Sequence, residues 1–123
     1  MPKLLIVDDE DDVREFAANF FRKRKIDVIT ASSGEEALKK VETEKPNLIL
    51  LDIKMEGMNG IQTLEAIRKF DQAVKVIMVT GAKPDENESF NKCSQLGISG
   101  YIHKPLQLDE LERTVTNELK KTI

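Results

Sequence analysis

Four consecutive apolar residues that end in a carboxylate, Leu48-Ile49-Leu50-Leu51-Asp52, constrain the fold most strongly. No polar residue alternates with the apolar ones, which is typical of a strand buried on both faces of a helix-covered parallel sheet. Open parallel sheets bind their ligands in crevices at the carboxyl ends of the strands. Asp52 is therefore expected at such a crevice, and it is the first candidate for a functional residue.

Four further apolar runs, at residues 4–7, 26–30, 74–79 and 98–102, are interpreted as strands, and helical periodicity follows each strand. The fourth helix, roughly Asp85 to Leu96, has few apolar residues, and Cys93 within it is interpreted as a buried structural thiol. The helices are expected to bury, in order, Val13, Phe16, Ala17, Phe20 and Phe21; Ala37, Leu38 and Val41; Ile61, Leu64 and Ile67; Phe90, Cys93 and Leu96; and Leu108, Leu111, Val115 and Leu119.

The fivefold alternation of strand and helix predicts an α/β protein with right-handed crossovers and helices on both faces of the sheet. The second run is more polar than the third and fourth, as an edge strand would be. These features predict a flavodoxin-like (βα)5 doubly wound sandwich whose parallel five-stranded sheet has the order 2-1-3-4-5. This order places Asp8 and Asp9, which follow the first strand, beside Asp52. The 123 residues fit one domain, 1–123.

Composition excludes several classes of function. The 19 basic and 22 acidic residues are interspersed, so the sequence gives no indication of a nucleic-acid surface. No apolar stretch approaches the roughly 18 residues of a membrane span, and no signal peptide is visible after Met1. The single cysteine excludes an intramolecular disulfide and favours a reducing compartment. We therefore expect a cytoplasmic protein that binds neither nucleic acid nor membranes.

Polar residues follow four of the predicted strands where the strands end: Asp8 and Asp9, Asp52, Thr80, and Lys104. Three carboxylates this close would hold protons unless a cation balanced them, and Mg²⁺ suits such oxygen ligands. An ionised Asp52 could then act as a nucleophile that forms an aspartyl phosphate. Thr80 could donate a hydrogen bond to a phosphoryl oxygen, and Lys104 could pair with another.

Five motifs, in this order and spacing, make the whole chain resemble the receiver domain of two-component response regulators. They are Leu5-Ile6-Val7-Asp8-Asp9-Glu10, Leu51-Asp52-Ile53-Lys54-Met55, Gly57-Met58-Asn59-Gly60, Val79-Thr80-Gly81-Ala82 and Tyr101-Ile102-His103-Lys104-Pro105. The resemblance implies that Asp52 is the phosphoacceptor. It also implies that Mg²⁺ is held by Asp8, Asp9, Asp52 and the backbone carbonyl of Lys54.

The resemblance also implies roles for the other strand ends. Thr80 and Tyr101 match the switch pair, and Lys104 matches the phosphate-binding lysine, joined to Pro105 by a cis bond. For Tyr101, simple packing at the sheet edge stays an alternative. Glu56 departs from the pattern, because the family usually has proline at that position.

Two other residue types have simpler interpretations. His103, the only histidine, is interpreted as an exposed strand-end residue rather than as a ligand. Gly57 and Gly60 are assigned to the turn that follows the central strand.

We expect a signalling switch rather than an enzyme, because such a protein catalyses only its own phosphorylation and dephosphorylation. A sensor histidine kinase or a histidine phosphotransfer protein would donate the phosphoryl group to Asp52. The modified protein would then signal to a downstream protein target or output domain through the face formed by the fourth helix, fifth strand and last helix. Two arrangements are compatible with the sequence: a stand-alone receiver, such as a phosphorelay intermediate or a chemotaxis-type regulator, or a receiver that is part of a longer protein.

Two other functions are less compatible with the residues present. A small phosphatase with an aspartyl-phosphate intermediate, similar to the haloacid-dehalogenase family, would carry an acid where Lys54 stands. A flavodoxin-like flavin or nucleotide binder would need a phosphate-cradling loop after the first strand, where the acidic residues 8–12 would repel phosphate.

Overall fold

The computed structural model describes residues 2–81 and 95–120. Most of the predicted fourth helix, with Cys93, lies outside the described residues. The elements are β1 Lys3–Val7, α1 Asp11–Arg22, β2 Asp27–Ala31, α2 Gly34–Glu44, β3 Leu48–Asp52, α3 Gly60–Phe70, β4 Lys75–Thr80, β5 Gly100–His103 and a C-terminal helix, Leu108–Lys120. Within these two ranges, no helix has the length and apolar character needed to cross a membrane.

The sheet is entirely parallel, and its strand order β2-β1-β3-β4-β5 confirms the predicted flavodoxin-like topology. β3 is central, since Leu51 pairs with Val7 of β1 on one side and with Met78 of β4 on the other. Because neighbouring strands run in the same direction, their carboxyl ends lie along one edge of the sheet. Asp52 is the last residue of β3 and thus lies at the middle of that edge.

Both faces of the sheet are buried, as the uninterrupted apolar run in β3 predicts. Alternate strand residues such as Leu48 and Leu50 pack with α1 and the C-terminal helix. Their neighbours Ile49 and Leu51 pack with α2 and α3. Burial of apolar surface on both sides is the main stabilising contribution to such a sandwich.

Two predicted core positions are wrong. Phe16 is 50 % exposed and Leu108 is 42 % exposed. In α1 the buried residues are instead Ala17, Ala18 and Phe21. Small alanine side chains allow the helix backbone to approach the sheet closely. With Ala17 and Ala18 facing the sheet, α1 is rotated about its axis so that Phe16 faces solvent.

The glycines of the β3–α3 connection have two different reasons to be there. Gly57 has φ +74°, which suits the turn to which the sequence assigns it. Gly60 is required by close packing rather than by the turn. A Cβ atom at this position would lie 2.2 Å from the carbonyl oxygen of Asp52. α3 therefore begins directly against the end of β3, where Asn59 and Gln62 form a capping box.

Candidate functional site

The site is built on two carboxylates that follow neighbouring strands. Asp8 comes directly after β1, and its backbone N–H donates a hydrogen bond to the carbonyl of Ala31 (3.2 Å). Asp8 is 4 % exposed and Asp52 is 2 % exposed. Parallel pairing of β1 with β3 brings both side chains to one place, as the sequence predicts, although the two residues are far apart in the chain.

A lysine that follows β5, on the opposite side of β3 from β1, reaches these carboxylates. The backbone N–H of Lys104 donates to the carbonyl of Thr80 (2.8 Å), which places Lys104 beside the end of β4. The Lys104 Nζ atom lies 3.2 Å from Asp52 Oδ2, 3.3 Å from Glu10 Oε1 and 3.6 Å from Asp8 Oδ2. One ammonium group therefore contacts three carboxylates.

Burial, with a further contribution from repulsion between the carboxylates, raises the pKa values of the two acids. Burial, together with the charge of Asp8, raises the pKa of Asp52 to about 6 despite the opposing effect of Lys104. Burial also raises the pKa of Asp8. Burial alone would lower the pKa of Lys104, but the charges of Asp52 and Asp8 outweigh it and raise that pKa. The site is thus short of positive charge when both acids are ionised.

The donor set fits a hard divalent cation. One carboxylate oxygen each from Asp8, Glu10 and Asp52 lies within 4.8 Å of the other two. Oxygen ligands of this kind suit Mg²⁺, which is commonly held by one or two carboxylates and several waters. The sequence interpretation gave Glu10 no role. Its position directly after Asp8-Asp9 was the available signal, but adjacency alone does not indicate that its exposed side chain turns back towards Lys104.

The second acid of the pair, Asp9, points to the β3–α3 connection. Asp9 Oδ2 accepts a hydrogen bond from the backbone N–H of Glu56 (3.0 Å). The same connection contacts the central carboxylate, because the backbone N–H of Lys54 donates to Asp52 Oδ1 (3.3 Å). The side chain of Lys54 is exposed.

The predicted switch residues lie on the adjacent strands β4 and β5. Thr80 ends β4 and is 3 % exposed, whereas Tyr101 in β5 is half-buried opposite Met78. His103 is exposed, in agreement with its interpretation as a strand-end residue. The peptide bond between Lys104 and Pro105 is cis, as the resemblance implies.

This arrangement favours nucleophilic chemistry at Asp52. Its carboxylate lies at the edge of the sheet with a hydrogen-bonded ammonium on one oxygen. Such a group can attack an electrophilic phosphorus atom, and the ammonium can offset negative charge that develops on the transferred group.

Comparisons with known proteins agree with this geometry. A family model described as the response regulator receiver domain matches residues 4–116. The chain is 36% identical over 122 residues to the alkaline phosphatase synthesis transcriptional regulatory protein PhoP of Bacillus subtilis (98% of this chain, 49% of that protein). It is 33% identical over 117 residues to sporulation initiation phosphotransferase F of the same organism (95% and 93%).

A solved structure gives the same result. The response regulator receiver domain protein (CheY-like) from Methanospirillum hungatei JF-1 has a TM-score of 0.92 and 30% identity. The superposition covers 99% of this chain and 96% of that one.

Proposed function

The chain belongs to the response regulator receiver domain family, whose members are phosphorylation switches of two-component systems, and from this premise we propose that Asp52 is its phosphoacceptor. One observation carries the proposal: Asp52 is 2 % exposed at the end of the central strand, yet its Oδ2 atom lies 3.2 Å from the Lys104 ammonium. A buried carboxylate with no function would be better replaced by an apolar residue.

The proposed step is transfer of a phosphoryl group from a phosphohistidine of the partner. A carboxylate oxygen of Asp52 forms the new P–O bond, the P–N bond breaks, and the imidazole nitrogen keeps the electron pair of that bond. Lys104 pairs with a phosphoryl oxygen, and the Thr80 hydroxyl donates a hydrogen bond to another.

We propose Mg²⁺ as the cofactor, held by Asp8, Asp9, Asp52 and the backbone carbonyl of Lys54. Bound at this place, the ion would supply positive charge that offsets the carboxylates and the incoming phosphoryl group. The raised pKa of Asp52 and the cluster of three carboxylate oxygens support the Asp8 and Asp52 part of this assignment, whereas Asp9 and the Lys54 carbonyl are assigned from the family resemblance. Glu10 belongs to that cluster, and we propose that it mainly holds Lys104 near Asp52 when no phosphoryl group is present.

The proposed switch uses Thr80 and Tyr101. When Asp52 is phosphorylated, the Thr80 hydroxyl would turn to the phosphoryl oxygen and leave room that Tyr101 can enter. A ligand shifts an equilibrium only by binding one state better than the other, and this hydrogen bond provides that difference. The change would be transmitted through the face that includes β5 and the C-terminal helix.

Membership of the family implies a kinase or a phosphotransfer protein as partner, and we propose a sensor histidine kinase or a histidine phosphotransfer protein as the donor. The chain spans about half the length of PhoP but nearly all of sporulation initiation phosphotransferase F. We therefore propose either a relay role, in which the phosphoryl group is passed onward, or control of a downstream protein target or an output domain. We propose that this unit itself binds neither nucleic acid nor membranes.

We further propose that residues 1–123 form a single receiver domain that acts as a switch and not as a phosphatase. The lysine at position 54 supports this, because it replaces the carboxylic acid that such a hydrolase uses as its general acid and base. The cytoplasmic location stays a prediction.

The decisive experiment is phosphorylation with acetyl phosphate and Mg²⁺, followed by intact-protein mass spectrometry. We expect one added phosphoryl group in the parent and in Asp27→Asn, an exposed control, and none in Asp52→Asn. Chelation of the metal should also prevent labelling. Equal labelling of Asp52→Asn would overturn the assignment of the phosphoacceptor.

A further inference from the structure

Asp9 and Glu56 form a contact that the sequence motifs do not indicate. The oxygens that lie within 4.8 Å of one another come from Asp8, Glu10 and Asp52. Asp9, although it neighbours Asp8, directs Oδ2 to the backbone N–H of Glu56, 3.0 Å away. This hydrogen bond joins the end of β1 to the β3–α3 connection across 47 residues of sequence.

The contact depends on the backbone of residue 56 and not on its side chain. The Glu56 side chain is exposed, and only the backbone N–H is bonded to Asp9. Any residue except proline supplies that N–H group. The identity of the residue therefore matters in a single respect, namely that it is not proline.

We propose that the Glu56 N–H is a positioning group for Asp9, which holds that carboxylate and the β3–α3 connection together for cation binding. This inference rests on the proposed function, in which Asp9 and the carbonyl of Lys54 both bind Mg²⁺. Glu56 is two residues beyond Lys54, so the hydrogen bond ties one proposed ligand to the segment that carries the other. Only Oδ2 takes part in it, and Oδ1 can serve as the ligand atom.

The expected effect follows from how outer hydrogen bonds act at metal sites. A ligating carboxylate is normally hydrogen-bonded through its other oxygen, and loss of such a partner typically lowers metal affinity by about 10–100-fold. The bond also restricts the Asp9 side chain and the connection before the cation binds, so less conformational entropy is lost on binding.

The test compares Glu56→Pro, which lacks the N–H, with Glu56→Ala, which keeps it and removes the same side chain. Mg²⁺ binding is followed by NMR titration of the backbone amides, with no phosphoryl donor present. We expect Glu56→Ala to bind within about twofold of the parent and Glu56→Pro to bind about tenfold more weakly. Equal affinity of the two variants would overturn the inference.

A double-mutant cycle separates the hydrogen bond from a general effect of proline on the connection. In an Asp9→Ala background the bond is already absent, so Glu56→Pro should cause little further loss of Mg²⁺ affinity. The same tenfold loss in that background would show that proline acts through the backbone alone, and would contradict the proposal.

A metal-free measurement keeps the inference testable if Glu56→Pro fails to fold. The Glu56 amide should be protected from hydrogen exchange in the parent and in Asp12→Ala, a control that removes a nearby exposed acid. It should lose that protection in Asp9→Ala. An unprotected amide in the parent would refute the inference, whereas a parent that binds no Mg²⁺ would refute the proposed function as well.

Discussion

The Lys104 ammonium lies 3.2 Å from Asp52 Oδ2, but it does not fully compensate the charge of that carboxylate. The Lys104 side chain is 24 % exposed, so solvent screens its positive charge. The Asp52 side chain is only 2 % exposed, so its carboxylate is poorly solvated. Asp8, which is also in contact with Lys104, adds repulsion. Burial and repulsion together therefore outweigh the ion pair.

The first prediction concerns the pH dependence of stability without metal. Because the pKa of Asp52 is raised from 3.8 to about 6 on folding, its contribution to stability is fully present below about pH 4 and is lost as the pH rises through about 6. We expect Asp52→Asn to gain stability relative to the parent over this range, by about 1–3 kcal/mol. Urea unfolding in EDTA, followed by circular dichroism at several pH values, measures the difference.

Two further samples test the cause of this effect. Asp27→Asn, which changes an exposed acid, should follow the pH dependence of the parent. Addition of Mg²⁺ near neutral pH should stabilise the parent and leave Asp52→Asn nearly unchanged. A free-energy difference between Asp52→Asn and the parent that does not vary with pH would contradict the prediction.

The sequence was sufficient to predict which strand ends converge. Parallel strands that alternate with helices must bring their carboxyl ends to one edge, so Asp8, Asp52 and Lys104 could be placed together from their positions alone. The bond between Asp9 and Glu56 could not, because it depends on the path of an irregular connection. No periodic pattern describes such a path.

The rotation of a helix about its own axis could not be predicted from the sequence pattern either. An apolar stripe wider than the contact area contains residues that the sheet does not cover, and the pattern does not show which ones they are. In α1 the tightest packing uses Ala17 and Ala18, whereas Phe16 lies outside the contact. This error does not affect the predicted position of the site, because that position depends on strand order and not on helix rotation.

The second prediction is that Gly60→Ala destabilises the protein by about 1–3 kcal/mol, as overpacking against a fixed backbone does. The added Cβ would meet the Asp52 carbonyl oxygen at 2.2 Å, although alanine is the better helix former. Gly100→Ala is the matched control, since a Cβ there meets nothing within 4 Å. Urea unfolding of both variants gives the comparison. Similar stabilities of the two would show that the end of β3 can move away from α3.

The third prediction concerns the switch. Beryllofluoride with Mg²⁺, a mimic of the phosphoryl group, should change the NMR signals of Thr80 and of residues 95–105. In Thr80→Ala the mimic should still bind, as seen at the amide of Lys54, but the changes around Tyr101 should be much smaller. Thr80→Ser, which keeps the hydroxyl, should restore them. Full changes at Tyr101 in Thr80→Ala would contradict a switch that depends on this hydroxyl.

The final prediction concerns the lifetime of phospho-Asp52. The exposed Lys54 side chain stands two residues beyond Asp52, on the connection whose N–H contacts that carboxylate. From there its ammonium can pair with a phosphoryl oxygen and obstruct attack by water. Because exposed ion pairs contribute only about 0–1 kcal/mol, the effect on the rate is at most about fivefold.

If Lys54 stabilises the phosphorylated ground state, its removal speeds hydrolysis, whereas stabilisation of the transition state would have the opposite effect. We expect the first: phospho-Asp52 should decay up to about fivefold faster in Lys54→Ala than in the parent at saturating Mg²⁺, with Lys54→Arg close to the parent. Decay in Lys54→Ala that is equal to or slower than in the parent would refute the shielding role.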